Sequence, residues 1–94
     1  MEGSLIDSDG PRRHREAGKT ALDAVIDLLQ AVGDRYSEAL CRFNAAAVLQ
    51  GMGRTGEAVS YTKRAAQLAE ATGHPDLPQM RAFLDQLRQR PGSA

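Results

Sequence analysis

The chain has no tryptophan, one cysteine, two tyrosines and two phenylalanines among its 94 residues. A β-sandwich or barrel fills its faces with aromatic and β-branched side chains, so this shortage points away from sheet and toward closely packed helices. The single Cys41 excludes an internal disulfide and any CxxC zinc or redox motif. It is also compatible with a reducing compartment. Net charge is missing as well: twelve basic residues cancel twelve acidic ones. A nucleic-acid binder carries a basic excess on one face, and that class is set aside. No apolar run reaches the roughly 18 residues needed to span a membrane. The first residues lack the basic start and apolar core of a secretion signal. The expectation is a cytoplasmic protein with no membrane association.

What is present is apolar residues at helical spacing. Residues 1–11 mix Gly, Ser, Asp and Pro without period and read as a flexible tail. From Pro11 onward Ala17, Ala21, Leu22, Val25, Leu28, Leu29 and Val32 recur at steps of three and four, the expected buried face of a first helix. Gly33 ends it, and Asp34 is placed to cap the next. The second helix, over about 35–52, is apolar on two adjoining stripes and must pack on at least two sides. Its alanines 45–47 allow close backbone approach. Gly53 is the expected left-handed stop, and Thr55 the expected cap of a third helix running to Thr72. That helix should bury Ala58, Val59, Thr62, Ala65, Ala66 and Ala69. Gly73, His74 and Pro75 break the chain, Asp76 caps, and a fourth helix carries Leu77, Met80, Leu84 and Leu87. Pro91 and Gly92 end it. The domain is thus expected over residues 12–90, with 91–94 frayed.

The chain also echoes itself. Glu16 and Ala17 reappear as Glu57 and Ala58, Ala24 as Ala65, Leu28 as Leu68 and Gly33 as Gly73. A period of about 40 shared by two helices belongs to helical solenoids, in which stacked pairs bury each other's apolar sides. Gly53, Glu57, Ala58, Tyr61, Ala65 and Leu68 resemble the second half of a tetratricopeptide repeat. Residues 39–49 resemble its first helix. Asn44 and the run His74-Pro75-Asp76 are similar to the longer-period repeats of kinesin light chains. Thr55 and Thr62 stand where that family usually has aromatics. The resemblance, over residues 16–88, implies an all-α array of antiparallel helix-turn-helix units of about four helices. It also implies a concave surface that holds a peptide or protein. Leu40, Phe43, Asn44, Ala47 and Gln50 would line that surface, with Arg81 extending it. Asn44 can both donate to and accept from a peptide backbone.

Chemistry is harder to find. Gly18-Lys19-Thr20 looks like the end of a phosphate-binding loop, but Arg13 replaces the required earlier glycine and no strand precedes it. His14 and His74 have no second ligand at metal spacing. Cys41 sits on an apolar stripe and reads as a small hydrophobe. Asp23 and Asp27 read as solvated charge, and Glu16 interrupts the basic cluster of Arg12, Arg13, Arg15 and Lys19. No enzyme, cofactor or metal is expected. The expected role is a protein-interaction scaffold or adaptor module. The alternative is a capping or oligomerising piece of a larger array, self-associating through an exposed solenoid end.

Overall fold

The computed structural model describes residues 2–89 in backbone and 13–89 in side chains. The described residues are all-α: α1 (Glu2–Val32), α2 (Arg35–Gly51), α3 (Thr55–Thr72) and α4 (Leu77–Gln89). Each helix packs on the next in chain order, as expected of linked helical hairpins.

The connections share one design. Gly33, Gly53 and Gly73, spaced 20 residues apart in the numbering, are the described residues with positive φ, at 78°, 78° and 66°. The residue after each glycine donates its N–H to a carbonyl five residues back: Asp34 to Leu29 at 3.0 Å, Arg54 to Leu49 at 2.9 Å and His74 to Ala69 at 2.9 Å. Each glycine N–H in turn reaches the carbonyl three residues back. This is a glycine-terminated helix cap repeated three times, and it satisfies carbonyls that the helix end leaves open.

The helix starts differ. Asp34 caps α2 as expected, its Oδ1 accepting from the Ser37 N–H at 3.1 Å. At α3 the cap position falls to Arg54 rather than Thr55, with no side-chain cap bond. Gly53 has turned the chain one residue earlier, and the Arg54 carbonyl already accepts from Ala58 N–H at 3.0 Å. Arg54 instead ion-pairs with Glu57, Nη2 to Oε1 at 2.8 Å.

The expected tail over 1–11 is helical from Glu2 onward. Once a helix is nucleated, each added residue gains a backbone hydrogen bond for little further ordering. Pro11 interrupts that ladder, because it has no N–H to offer the carbonyl of Asp7. The frayed segment expected over 91–94 lies outside the described residues.

The core is built from small residues. One cluster joins Ala39 of α2, Ala65, Leu68 and Ala69 of α3 and Met80 of α4, with Phe43, Ala66 and Leu77 packed against it. A second joins Ala46, Leu49, Ala58 and Leu87, flanked by Val59, Tyr61 and Phe83. The Phe43 and Phe83 rings meet edge to face with centroids 5.5 Å apart. Thr62, fully buried, satisfies its hydroxyl by donating to the Ala58 carbonyl at 2.7 Å.

The face of α1 is the main departure from the expected burial. Among its described side chains only Ile26 is buried, with Leu22 and Leu29 half-buried beside it. Val25, Leu28 and Val32, expected in the core, are exposed at 41%, 65% and 70%. The helix is apolar on two sides, and α2 and α3 cover only one of them.

Candidate functional site

Leu40, Asn44, Ala47 and Gly51 step along α2 by four, three and four residues. At 100° per residue they fall within about 60° of arc. All four are exposed. The core-facing side of the same helix carries Ala39, Ala46 and Leu49. This row is a shallow apolar strip broken by one amide.

Toward its C-terminal end the row borders a cleft of about 400 Å³, lined by His14, Arg15 and Gly18 of α1 and by Ala47, Val48 and Gly51 of α2. Arg15 reaches across it, Nη1 donating to the Gly51 carbonyl at 3.0 Å. The last carbonyls of a helix lack intrahelical partners, and a cation there also suits the helix dipole.

Of the six residues expected on a partner surface, the fold gathers three. Leu40, Asn44 and Ala47 share the open row. Phe43 and Gln50 are half-buried, and Phe43 packs on the core cluster. Arg81 is exposed on α4, but its Nη2 lies 3.4 Å from Glu70 Oε2 of α3. Phe83, two residues on, faces α2 instead, so Arg81 stands on the α3 side of α4 and apart from the row. Tyr36 was absent from the expected set, yet it lies one helical turn before Leu40 and is 46% exposed.

The polar groups between helices are mutually satisfied. Asp23 of α1 accepts from the Tyr61 hydroxyl of α3 at 2.7 Å and from Lys19 Nζ at 2.7 Å. Partial burial pushes the Asp23 carboxyl up, but these hydrogen bonds and the neighbouring cations outweigh it and hold it below its ordinary value. The bond to Asp23 raises the Lys19 ammonium despite some burial. Burial, then Asp23, pushes the Tyr61 hydroxyl up. Nearby, Glu38 is buried and accepts from Arg42 Nε at 2.7 Å and from Gln30 Nε2 at 3.2 Å. The Arg42 guanidinium sits 5.9 Å from the Tyr61 ring centre. Together these pairs clamp α1 onto α2 and α3.

Burial and the Asp34 charge push the half-buried Cys41 thiol up, away from the thiolate a nucleophile needs. Among the described residues no three His, Cys, Asp or Glu side chains gather as metal ligands. No helix among them is long and apolar enough to cross a membrane. Comparison with protein-family models, with curated proteins and with solved structures finds no match.

Proposed function

We propose that the chain is a protein-interaction module that holds a peptide or protein segment along the open row of α2. The observation that carries this reading is the exposed sequence Leu40, Asn44, Ala47 and Gly51, in which one amide stands within an apolar strip. An extended segment brings backbone donors and acceptors, and Asn44 can pair with both without dictating the side chains bound. The likeness of residues 16–88 to tetratricopeptide arrays, in which first helices line a concave binding surface, supports the same assignment. The identical glycine caps at three turns fit a repeat origin.

The test is site-specific photo-crosslinking in the source cell, with benzoylphenylalanine at Ala47 and, as control, at the exposed Lys63 of α3. A protein captured from position 47, absent from position 63 and diminished by Asn44→Ala supports the assignment. Equal capture from both positions, or capture indifferent to Asn44→Ala, rejects it.

A further inference from the structure

The side of α1 turned to the rest of the chain is mostly polar. Arg15, Lys19, Asp23, Ile26 and Gln30 advance by four, four, three and four residues and fall within about 80° of arc. Arg15 donates to the Gly51 carbonyl, Asp23 accepts from the Tyr61 hydroxyl, and Gln30 donates to the Glu38 carboxylate. Of the five only Ile26 is buried, with Leu22 and Leu29 half-buried at the edge of the stripe. α4 is held differently: in 13 residues it places Met80 and Leu87, both fully buried, in the two core clusters. Those clusters draw on α2, α3 and α4, and no described residue of α1 belongs to either.

Parting α1 from α2 and α3 strands no charge. The pair of Lys19 with Asp23 lies within α1, and that of Arg42 with Glu38 within α2, so both survive the separation. Glu16 lies 3.8 Å from Arg54 at the surface, and Arg54 keeps Glu57. Water takes over the bonds of Arg15, Tyr61 and Gln30, an exchange that reduces their net contribution. The fully buried apolar side chain given up is that of Ile26. Segments with few buried apolar contacts and water-reachable hydrogen bonds are the ones that open short of global unfolding.

The hinge position decides what such opening does. α1 ends at Gly33, where a Cβ would meet nothing within 4 Å, so the turn is not packed over. At 1.5 Å per residue Gly18 stands about 22 Å from Gly33, and a swing of about 10° carries it about 4 Å. His14, Arg15 and Gly18 form one wall of the cleft, and Ala47, Val48 and Gly51 of α2 form the other. The long arm of the lever is therefore at the cleft, where the Arg15–Gly51 bond is exposed.

We propose that α1 is a hinged wall. It swings about the Gly33 turn without disturbing the core of α2, α3 and α4, and so sets the width of the cleft beside the α2 row. That this width regulates capture of a partner rests on the function proposed above; the swing itself does not.

Double electron–electron resonance on the free full chain tests the swing, in a Cys41→Ser background. Spin labels are placed on Ala17→Cys of α1 and Lys63→Cys of α3, both exposed positions, with Asn44→Cys of α2 and Lys63→Cys as the control pair. The 17–63 distances should be more broadly spread than the 44–63 distances. Tyr61→Phe removes the hydroxyl that reaches Asp23 and keeps the ring, and Gln30→Ala removes the amide that reaches Glu38. Each should move the 17–63 distances outward by about 4 Å or more and leave the control pair in place, with unchanged helicity by circular dichroism. A 17–63 distribution as narrow as the control, or one that both substitutions leave unmoved, overturns the proposal. A control pair that spreads along with it also does, since the helices then loosen as one body. No partner is needed, so the two readings fail separately: capture from position 47 with a rigid α1 removes the hinge alone, and a mobile α1 without capture removes the binding module alone.

Discussion

The Tyr36 ring lies over the His74 imidazole, with centroids 4.1 Å apart and planes inclined by 22°. This contact ties the start of α2 to the turn before α4, across the end of α3. His74 is buried, and its Nδ1 accepts from the Asp76 N–H at 3.0 Å, so the imidazole holds the turn as well as the stack. Its buried Nε2 has no hydrogen-bond partner, which leaves the stack and the turn bond as its anchors. His74→Ala should therefore destabilise the chain by about 1–3 kcal/mol, read from the urea midpoint. A double-mutant cycle with Tyr36→Ala should show a coupling of about 0.5–1.5 kcal/mol. Strict additivity would mean that the two rings lie together without stabilising each other.

Gly53 and Gly56 lie three residues apart and should respond to alanine with opposite sign. Gly53 has φ of 78°, where an L-residue is strained by about 1–2 kcal/mol, so Gly53→Ala should lower stability by that order. Gly56 is in the first turn of α3 with ordinary helical backbone, and a Cβ there meets nothing within 4 Å. Gly56→Ala should raise stability by about 0.5–1 kcal/mol. Thermal melts of the two variants check the pair, and a stabilised Gly53→Ala would disprove the cap.

The boundaries of α2, α3 and α4 were legible because glycine marks each turn and left-handed backbone has few other solutions. Burial in α3 was partly legible: Ala58, Thr62, Ala65 and Ala69 are buried as expected, Val59 and Ala66 are only half-buried, and Leu68, outside the expected set, is buried. The face of α1 was not, for a physical reason. A row of apolar residues states that something should cover it, and not whether the cover belongs to the same chain. Ile26 and Leu28 differ little in hydrophobicity, yet one is 4% exposed and the other 65%. Spacing does not separate them either, since the inward row of Leu22, Ile26 and Leu29 also advances by four and three residues. His74, read as a turn residue, is held by a stacking partner 38 positions away in the numbering, which local pattern does not encode. Within the open row of α2, Leu40, Asn44 and Ala47 came together because one α-helix fixes their relation. Arg81 did not, because its direction depends on how α4 rolls against α3.

The Asp23 clamp predicts how stability depends on acidity. The Asp23 carboxyl is held below its ordinary 3.8 in the folded chain. A depressed folded value means that its contribution is present above the unfolded value and is lost as pH falls through the folded one. The stability gap between the parent chain and Asp23→Asn should thus be full above about pH 5 and close progressively below about pH 4. Asp34 is also held below its ordinary value, by the hydrogen bond from the Ser37 backbone N–H. It remains in both proteins, so the comparison isolates Asp23. Urea midpoints measured across that range check it, and a gap that widens on acidification would show that the carboxylate is not stabilised by Lys19 and Tyr61.

Arg42 offers the sharpest contrast between losing a charge and orphaning one. Its partner Glu38 is buried at 3% exposure, with Gln30 as its other hydrogen-bond partner. Removing the arginine strands a carboxylate inside the α1–α2 contact, and breaking such a pair from one side typically costs about 3–5 kcal/mol. Arg42 is itself partly exposed, so water can replace part of its role and the lower end of that range applies. Arg42→Ala should cost about 3 kcal/mol. Glu38→Gln keeps shape and hydrogen bonding and leaves a cation that can turn outward to water, so its cost should be smaller. If α1 is held by this pair rather than by apolar contact alone, amides around Ile26 should lose hydrogen-exchange protection in Arg42→Ala before those around Leu68. Loss of protection in both regions together would mean that α1 leaves only when the whole chain unfolds.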